Sequence, residues 1–73
     1  LFPNPTSDFL HLKLDENYSN IVINIYSLDG ILVNSFKKEN TNEALISINS
    51  GKGIYFVEIF LDGQRSIQKV IKT

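Results

Sequence analysis

The chain has 73 residues, 42% of them apolar and 21% charged, with a net charge of −1 and no Cys, Met or Trp. So short a chain builds one core and not two, and hides only about 60% of its unfolded surface. Without cysteine there is no disulfide framework and no thiolate metal site. Near-neutral charge does not supply the dense basic face with which a nucleic-acid binder displaces counterions. No apolar run nears the ~20 residues of a membrane-spanning helix, and ordinary apolar content with low net charge speaks against disorder. The chain begins Leu1-Phe2 rather than with Met and carries no signal-peptide pattern, so it reads as a piece of a longer protein, a terminal domain.

Residues 1–7 form a proline-containing opening segment around Pro3, Asn4 and Pro5. Two prolines fix φ and remove backbone donors, and Asn4, standing before a proline, is pushed toward extended geometry. A stiff linker and a recognition motif both remain open readings. From residue 8 to residue 73 the periodicity is that of strands. Leu10, Leu12 and Leu14 alternate with His11 and Lys13, a strand with one wet face. Asp15-Glu16-Asn17 reads as a solvated turn. Ile21, Ile23 and Ile25 then alternate with Val22, Asn24 and Tyr26.

Leu28-Asp29-Gly30 reads as a three-residue loop with Gly30 left-handed in a bulge, pairing Ile25 with Val33 and Asn24 with Asn34. A two-residue loop would set Ile25 opposite Asn34 instead and is the less favoured register. Val22 then faces Phe36. Residues 37–43 form the one clearly polar loop, after which Ala44, Ile46 and Ile48 alternate with Leu45 and Ser47. Residues 54–61 are apolar on both faces except at Glu58, as in a central strand.

Asp62-Gly63 is the signature of a two-residue type I′ hairpin. That register pairs Ile59 with Ser66, Val57 with Gln68 and Tyr55 with Val70. It also sets Glu58 opposite Ile67, between Arg65 and Lys69, as a solvated charge cluster. Strands apolar on both sides need two packed layers, so the expected fold is all-β, a small antiparallel β-sandwich of six to seven strands. The seventh would come from Leu1-Phe2 or from a split between Ser35 and Leu45. The expected core is Leu10, Leu12, Leu14, Ile23, Ile25, Val33, Ile46, Ile48, Tyr55, Val57, Ile59 and Val70. The expected turn positions are Asp29, Gly30, Gly53, Asp62 and Gly63.

Catalytic signals are weak. His11 is the only histidine and falls on the outward face of its strand, and no nucleophile elbow is present. Glu39 and Glu43 form a loose carboxylate pair, and Asp15-Glu16-Asn17 lacks the spacing of a calcium loop. Gly51-Lys52-Gly53 lacks the frame of a phosphate cradle. Asn17-Tyr18-Ser19 fits a glycosylation sequon, a tripeptide common by chance. No aromatic platform of the kind that binds sugars stands out, and Tyr55 suits a core position with its hydroxyl on a backbone group. No catalytic residue, cofactor, metal, nucleic acid or small-molecule substrate is expected.

Four pieces in order span essentially the whole chain. They are Pro3-Asn4-Pro5-Thr6-Ser7-Asp8 ahead of the leucine strand, Ile25-Tyr26-Ser27-Leu28-Asp29-Gly30, Gly53-Ile54-Tyr55-Phe56-Val57, and Lys69-Val70-Ile71-Lys72. Together they resemble the type A C-terminal sorting domain of the type IX (Por) secretion system. The approach to Gly53, Asn49-Ser50-Gly51-Lys52, lacks the apolar residue common there, which suggests a looser corner beside Tyr55; Thr73 is a small extension. The resemblance implies an Ig-like sandwich and a single sorting domain over residues 1–73. It further implies a cargo domain upstream in the same polypeptide and transit through the periplasm. Outer-membrane translocon components would be partners, as would a sortase that removes the domain near its N-terminal boundary, leaving the cargo at the cell surface or released. By position, Lys69, Val70, Ile71 and Lys72 match the closing signal and Pro3, Asn4 and Pro5 the opening motif. The last strand carries a second reading, an edge protected by lysines. The competing function is a non-catalytic adhesion or carbohydrate-binding module.

Overall fold

The computed structural model describes residues 9–48 and 51–73. The opening motif Pro3, Asn4 and Pro5 and the strand considered at Leu1-Phe2 lie outside the described residues. Four antiparallel strands, β1 (Phe9–Ser27), β2 (Leu32–Ser47), β3 (Gly53–Leu61) and β4 (Gln64–Lys72), form one sheet in the order β2-β1-β3-β4. The all-β expectation holds, but the described residues make four strands in one sheet rather than six to seven in two.

The reason for the smaller count is that four expected strands merge pairwise into two long ones. At about 3.3 Å per residue a straight strand of the 19 residues in β1 would run roughly 60 Å. The molecule is 31 Å along its longest axis. The β1–β2 ribbon therefore bends. Its register marks the place: Lys13 pairs with Glu43 but Tyr18 with Thr41, so residues 14–17 of β1 stand against Asn42 alone. Asn40, just beyond this irregularity on β2, has φ 51°, a left-handed conformation that asparagine tolerates. Asp15-Glu16-Asn17 is thus an exposed bulge within β1 instead of a turn between strands. Residues 37–43 are likewise strand and not loop, because their backbone pairs with β1 while their charged side chains stay in water.

Turn chemistry sets the second hairpin. Asp62 (φ 48°) and Gly63 (φ 91°) both take the left-handed region that a type I′ turn requires. Ile59 pairs with Ser66, Val57 with Gln68 and Tyr55 with Val70, as the sequence predicts. Asp62 also ties the turn to β1: its Oδ1 accepts from the Asn20 N–H at 2.8 Å, and its own N–H donates to the Asn20 carbonyl at 3.0 Å.

In the first hairpin the Gly30 N–H donates to the Ser27 carbonyl and Gly30 has φ 85°, closing the three-residue loop Leu28-Asp29-Gly30. Beyond it the expected register is corrected. Tyr26 pairs with Leu32 but Ile25 pairs with Asn34, one residue further along. This shift puts Phe36 opposite Ile23, where it packs on the core, and Ser35 opposite Asn24, where its hydroxyl donates to Asn24 Oδ1 at 2.7 Å. Lys37 faces Val22 in place of Phe36.

One apolar cluster joins both limbs of the ribbon to β3 and β4. It holds Leu10, Leu12, Ile23, Ile25, Ile46, Ile48, Tyr55, Val57, Ile59 and Val70, together with Ile21 and Ala44. Leu14 and Val33 pack at its margin, half-buried. The Tyr55 hydroxyl donates to the Gly51 carbonyl at 2.5 Å, which closes the corner expected to be loose.

Ile23 stands between Phe36 and Ile59 in the centre of the sheet and is fully buried. Ile23→Ala should cost about 2–5 kcal/mol in urea unfolding. Leu45→Ala, at a position 63% exposed, should cost no more than about 0.5 kcal/mol. Equal losses would contradict this placement of the core.

Candidate functional site

Alternation gives the β1–β3–β4 part of the sheet a second face, turned away from the core. It is built by Val22, Asn24 and Tyr26 of β1, Ile54, Phe56, Glu58 and Phe60 of β3, and Arg65, Ile67, Lys69 and Ile71 of β4. All remain at least partly in contact with solvent except Glu58, which is 8% exposed.

A carboxylate so covered must be satisfied by donors. The Arg65 Nε–H donates to Glu58 Oε2 at 2.6 Å, while Asn24 Nδ2 at 3.1 Å and the Tyr26 hydroxyl at 3.2 Å donate to Oε1. Of the solvated cluster expected from the hairpin, the carboxylate is covered while Arg65 and Lys69 stay exposed, and two of the donors to Glu58, Asn24 and Tyr26, come from β1. The Arg65 bond first, then that of Asn24, holds the Glu58 carboxyl below its ordinary range; loss of hydration opposes them and the Tyr26 bond assists. Burial first, and then the bond to Glu58, raises the Tyr26 phenol. Glu58 is accordingly ionised at neutral pH with both oxygens engaged. Asn24 and Tyr26 were not identifiable from the turn alone, since only the β1–β3 pairing, with Asn24 opposite Glu58, brings them in.

The four closing residues divide between the faces. Val70 is fully buried in the core. Lys72 is half-buried, and its Nζ donates to the Ile48 carbonyl at 2.7 Å, tying the end of β4 to the end of β2. Lys69 and Ile71 lie on the outer face, Ile71 38% exposed. Asp29 and Gly30 sit at the exposed tip of the first hairpin, and Gly53 opens β3 opposite Lys72.

Away from this face, an open groove of ≈ 580 Å³ gathers His11 with Lys38, Glu39, Thr41 and Glu43. His11 Nε2 lies 3.2 Å from Glu43 Oε2, and both side chains are more than half exposed. The Thr41 hydroxyl donates to the Glu43 carbonyl and accepts from its N–H, both at 3.3 Å. This is a cross-strand imidazole–carboxylate pair open to water, with the Thr41 hydroxyl committed to backbone. Among the described residues no group of three or more His, Asp or Glu side chains is placed to hold a metal.

Fold and surface together define a small one-sheet all-β module whose last strand is half structural and half displayed. The family model of the secretion system C-terminal sorting domain matches residues 1–73, and the chain belongs to that family, the sorting domains of the type IX (Por) system. A search of curated proteins finds none that matches.

The lowered carboxyl of Glu58 sets a pH dependence. A group depressed in the folded state contributes stability above its unfolded value, ordinarily 4.5, and loses it as pH falls through the native value. Urea unfolding from pH 7 to pH 3 should show the wild type losing stability more steeply than Glu58→Gln at the acid end. Parallel curves would remove Glu58 from that role.

Proposed function

We propose that residues 1–73 are the removable address of a longer exported polypeptide. The domain directs a folded cargo across the outer membrane, and a sortase cuts it from the cargo near its N-terminal boundary, leaving the cargo anchored at the surface or released. It performs no chemistry of its own. The family match over the whole chain carries this reading. A type IX sorting domain implies a cargo in the same polypeptide, the secretion machinery as partner, and delivery to the cell surface or beyond. The periplasmic leg, the sortase and the translocon components belong to the proposal. So does a two-layered, Ig-like character, which the folding back of the β1–β2 ribbon supports.

The faces of β4 refine the recognition expected at Lys69, Val70, Ile71 and Lys72. Val70 and Lys72 hold β4 to the core and to Ile48. Lys69 and Ile71 are the members left for a receptor to read. Truncation after Gln68 would remove a buried valine along with the signal, so it does not separate folding from recognition.

The test fuses residues 1–73 to a periplasm-targeted reporter in a host with the type IX system. The reporter should reach the surface or medium, and should stay periplasmic when the translocon is deleted. Retention with the machinery intact overturns the reading, and glycan binding by the retained fusion would favour an adhesion module. Lys69→Ser with Ile71→Ser should lower export about tenfold or more, the equivalent of ~1.4 kcal/mol of recognition, with the fusion still folded by circular dichroism. Unchanged export would remove these two side chains from recognition.

A further inference from the structure

We infer that the edge of β4 from Arg65 to Lys69 docks an extended acidic segment of a partner protein, which adds beside it as a further strand. The inference rests on the export reading only for who supplies the segment. The geometry comes from the hairpin. In a two-residue turn the closing pair, Leu61 and Gln64, exchanges hydrogen bonds, and bonded pairs then recur at every second position. Ser66, Gln68 and Val70 thus direct their backbone groups at β3, whereas Arg65, Ile67 and Lys69 direct theirs outward. Among the described residues no strand lies on that side of β4. Arg65, Ile67 and Lys69 are all exposed, Ile67 by 52%.

Charge selects the occupant. β4 carries Arg65, Lys69 and Lys72 and no carboxylate, in a chain whose net charge is −1. A second copy is a poor occupant. Antiparallel self-pairing centred on Ile67, the register that uses the whole stretch, sets Arg65 directly opposite the other copy's Lys69, and like charges opposite one another destabilise a ladder. An incoming strand with an acid, an apolar residue and an acid at alternate positions instead places carboxylates across from Arg65 and Lys69 and an apolar side chain across from Ile67. Arg65 gives its Nε–H to Glu58, and the rest of the guanidinium fork stays available to a carboxylate. The Glu58 network thereby fixes the cation at the edge. Main-chain bonds supply affinity and the alternate side chains supply selectivity, as in other cases of strand addition.

The probe is a fluorescent peptide alternating threonine with glutamate, valine and glutamate, with a control in which lysines replace the glutamates. It is titrated against the reporter fusion by anisotropy. The acidic peptide should bind saturably, weaken with added salt, and bind at least about tenfold more tightly than the lysine control, a difference of ~1.4 kcal/mol. Ile67→Pro removes an N–H that points away from β3, so the fold should persist by circular dichroism while binding falls about tenfold. Lys69→Glu should weaken binding of the acidic peptide and strengthen that of the lysine control. Absence of saturable binding, equal affinity for the two peptides, binding indifferent to Ile67→Pro, or dimerisation of the fusion abolished by Ile67→Pro would each overturn the inference. A fusion that is exported yet binds no acidic peptide refutes this inference alone. A fusion that binds the peptide yet is not exported refutes the export reading and leaves the docking edge standing.

Discussion

The bend in the β1–β2 ribbon is the constraint on which the rest of the domain depends. A hairpin held flat would leave Leu10, Leu12, Ala44, Ile46 and Ile48 with no apolar partner layer, and the other part of the sheet would have one face in water. Folding back at residues 14–17 brings these side chains into one cluster with Ile21, Ile23 and Ile25 of β1 and with β3 and β4. A chain without cysteine, and so without disulfides, depends on such burial for its stability. The irregular register at the bend is thus a structural requirement. Lys72 reinforces it by bonding to the Ile48 carbonyl where the two limbs end.

Local chemistry was legible in the sequence, and non-local pairing was not. Asp62-Gly63 dictates its turn and with it every pair along β3 and β4, because two residues at positive φ leave a single register. Leu28-Asp29-Gly30 dictates its loop equally well. One residue further on, the packing of Phe36 against the core outweighs the register that the loop would propagate. Residues 37–43 look like a loop because polarity is a side-chain property, whereas strand pairing is made by the backbone. The adjacency of β1 and β3 has no local signature, so Asn24 and Tyr26 could not be assigned to Glu58 in advance. The same β1–β3 pairing covers the Glu58 carboxylate, which the β3–β4 hairpin alone would leave in solvent.

The outer face shows how a very small domain combines stability with display. A strand must give its inward residues to the core, and Val70 does so completely. Its outward residues carry no such obligation and can be selected for what a partner reads. Glu58 couples the two roles: its carboxylate is satisfied by β1 on one side and by Arg65 on the other, which fixes an arginine of β4 without leaving a covered charge unpaired. The imidazole–carboxylate pair of His11 and Glu43 lies on the limb of the ribbon away from this face and shares none of its partners.

β4 is the edge strand of the described sheet: from Arg65 to Lys69 its inner side is bonded to β3, and among the described residues no strand lies along its outer side. Backbone amide hydrogen exchange, measured residue by residue by NMR on the folded domain, tests it most directly. The amides of Ser66, Gln68 and Val70 should be protected close to the level of global unfolding, and those of Arg65, Ile67 and Lys69 should exchange orders of magnitude faster. Uniform protection along β4, or protection of the odd-numbered amides alone, would contradict the account.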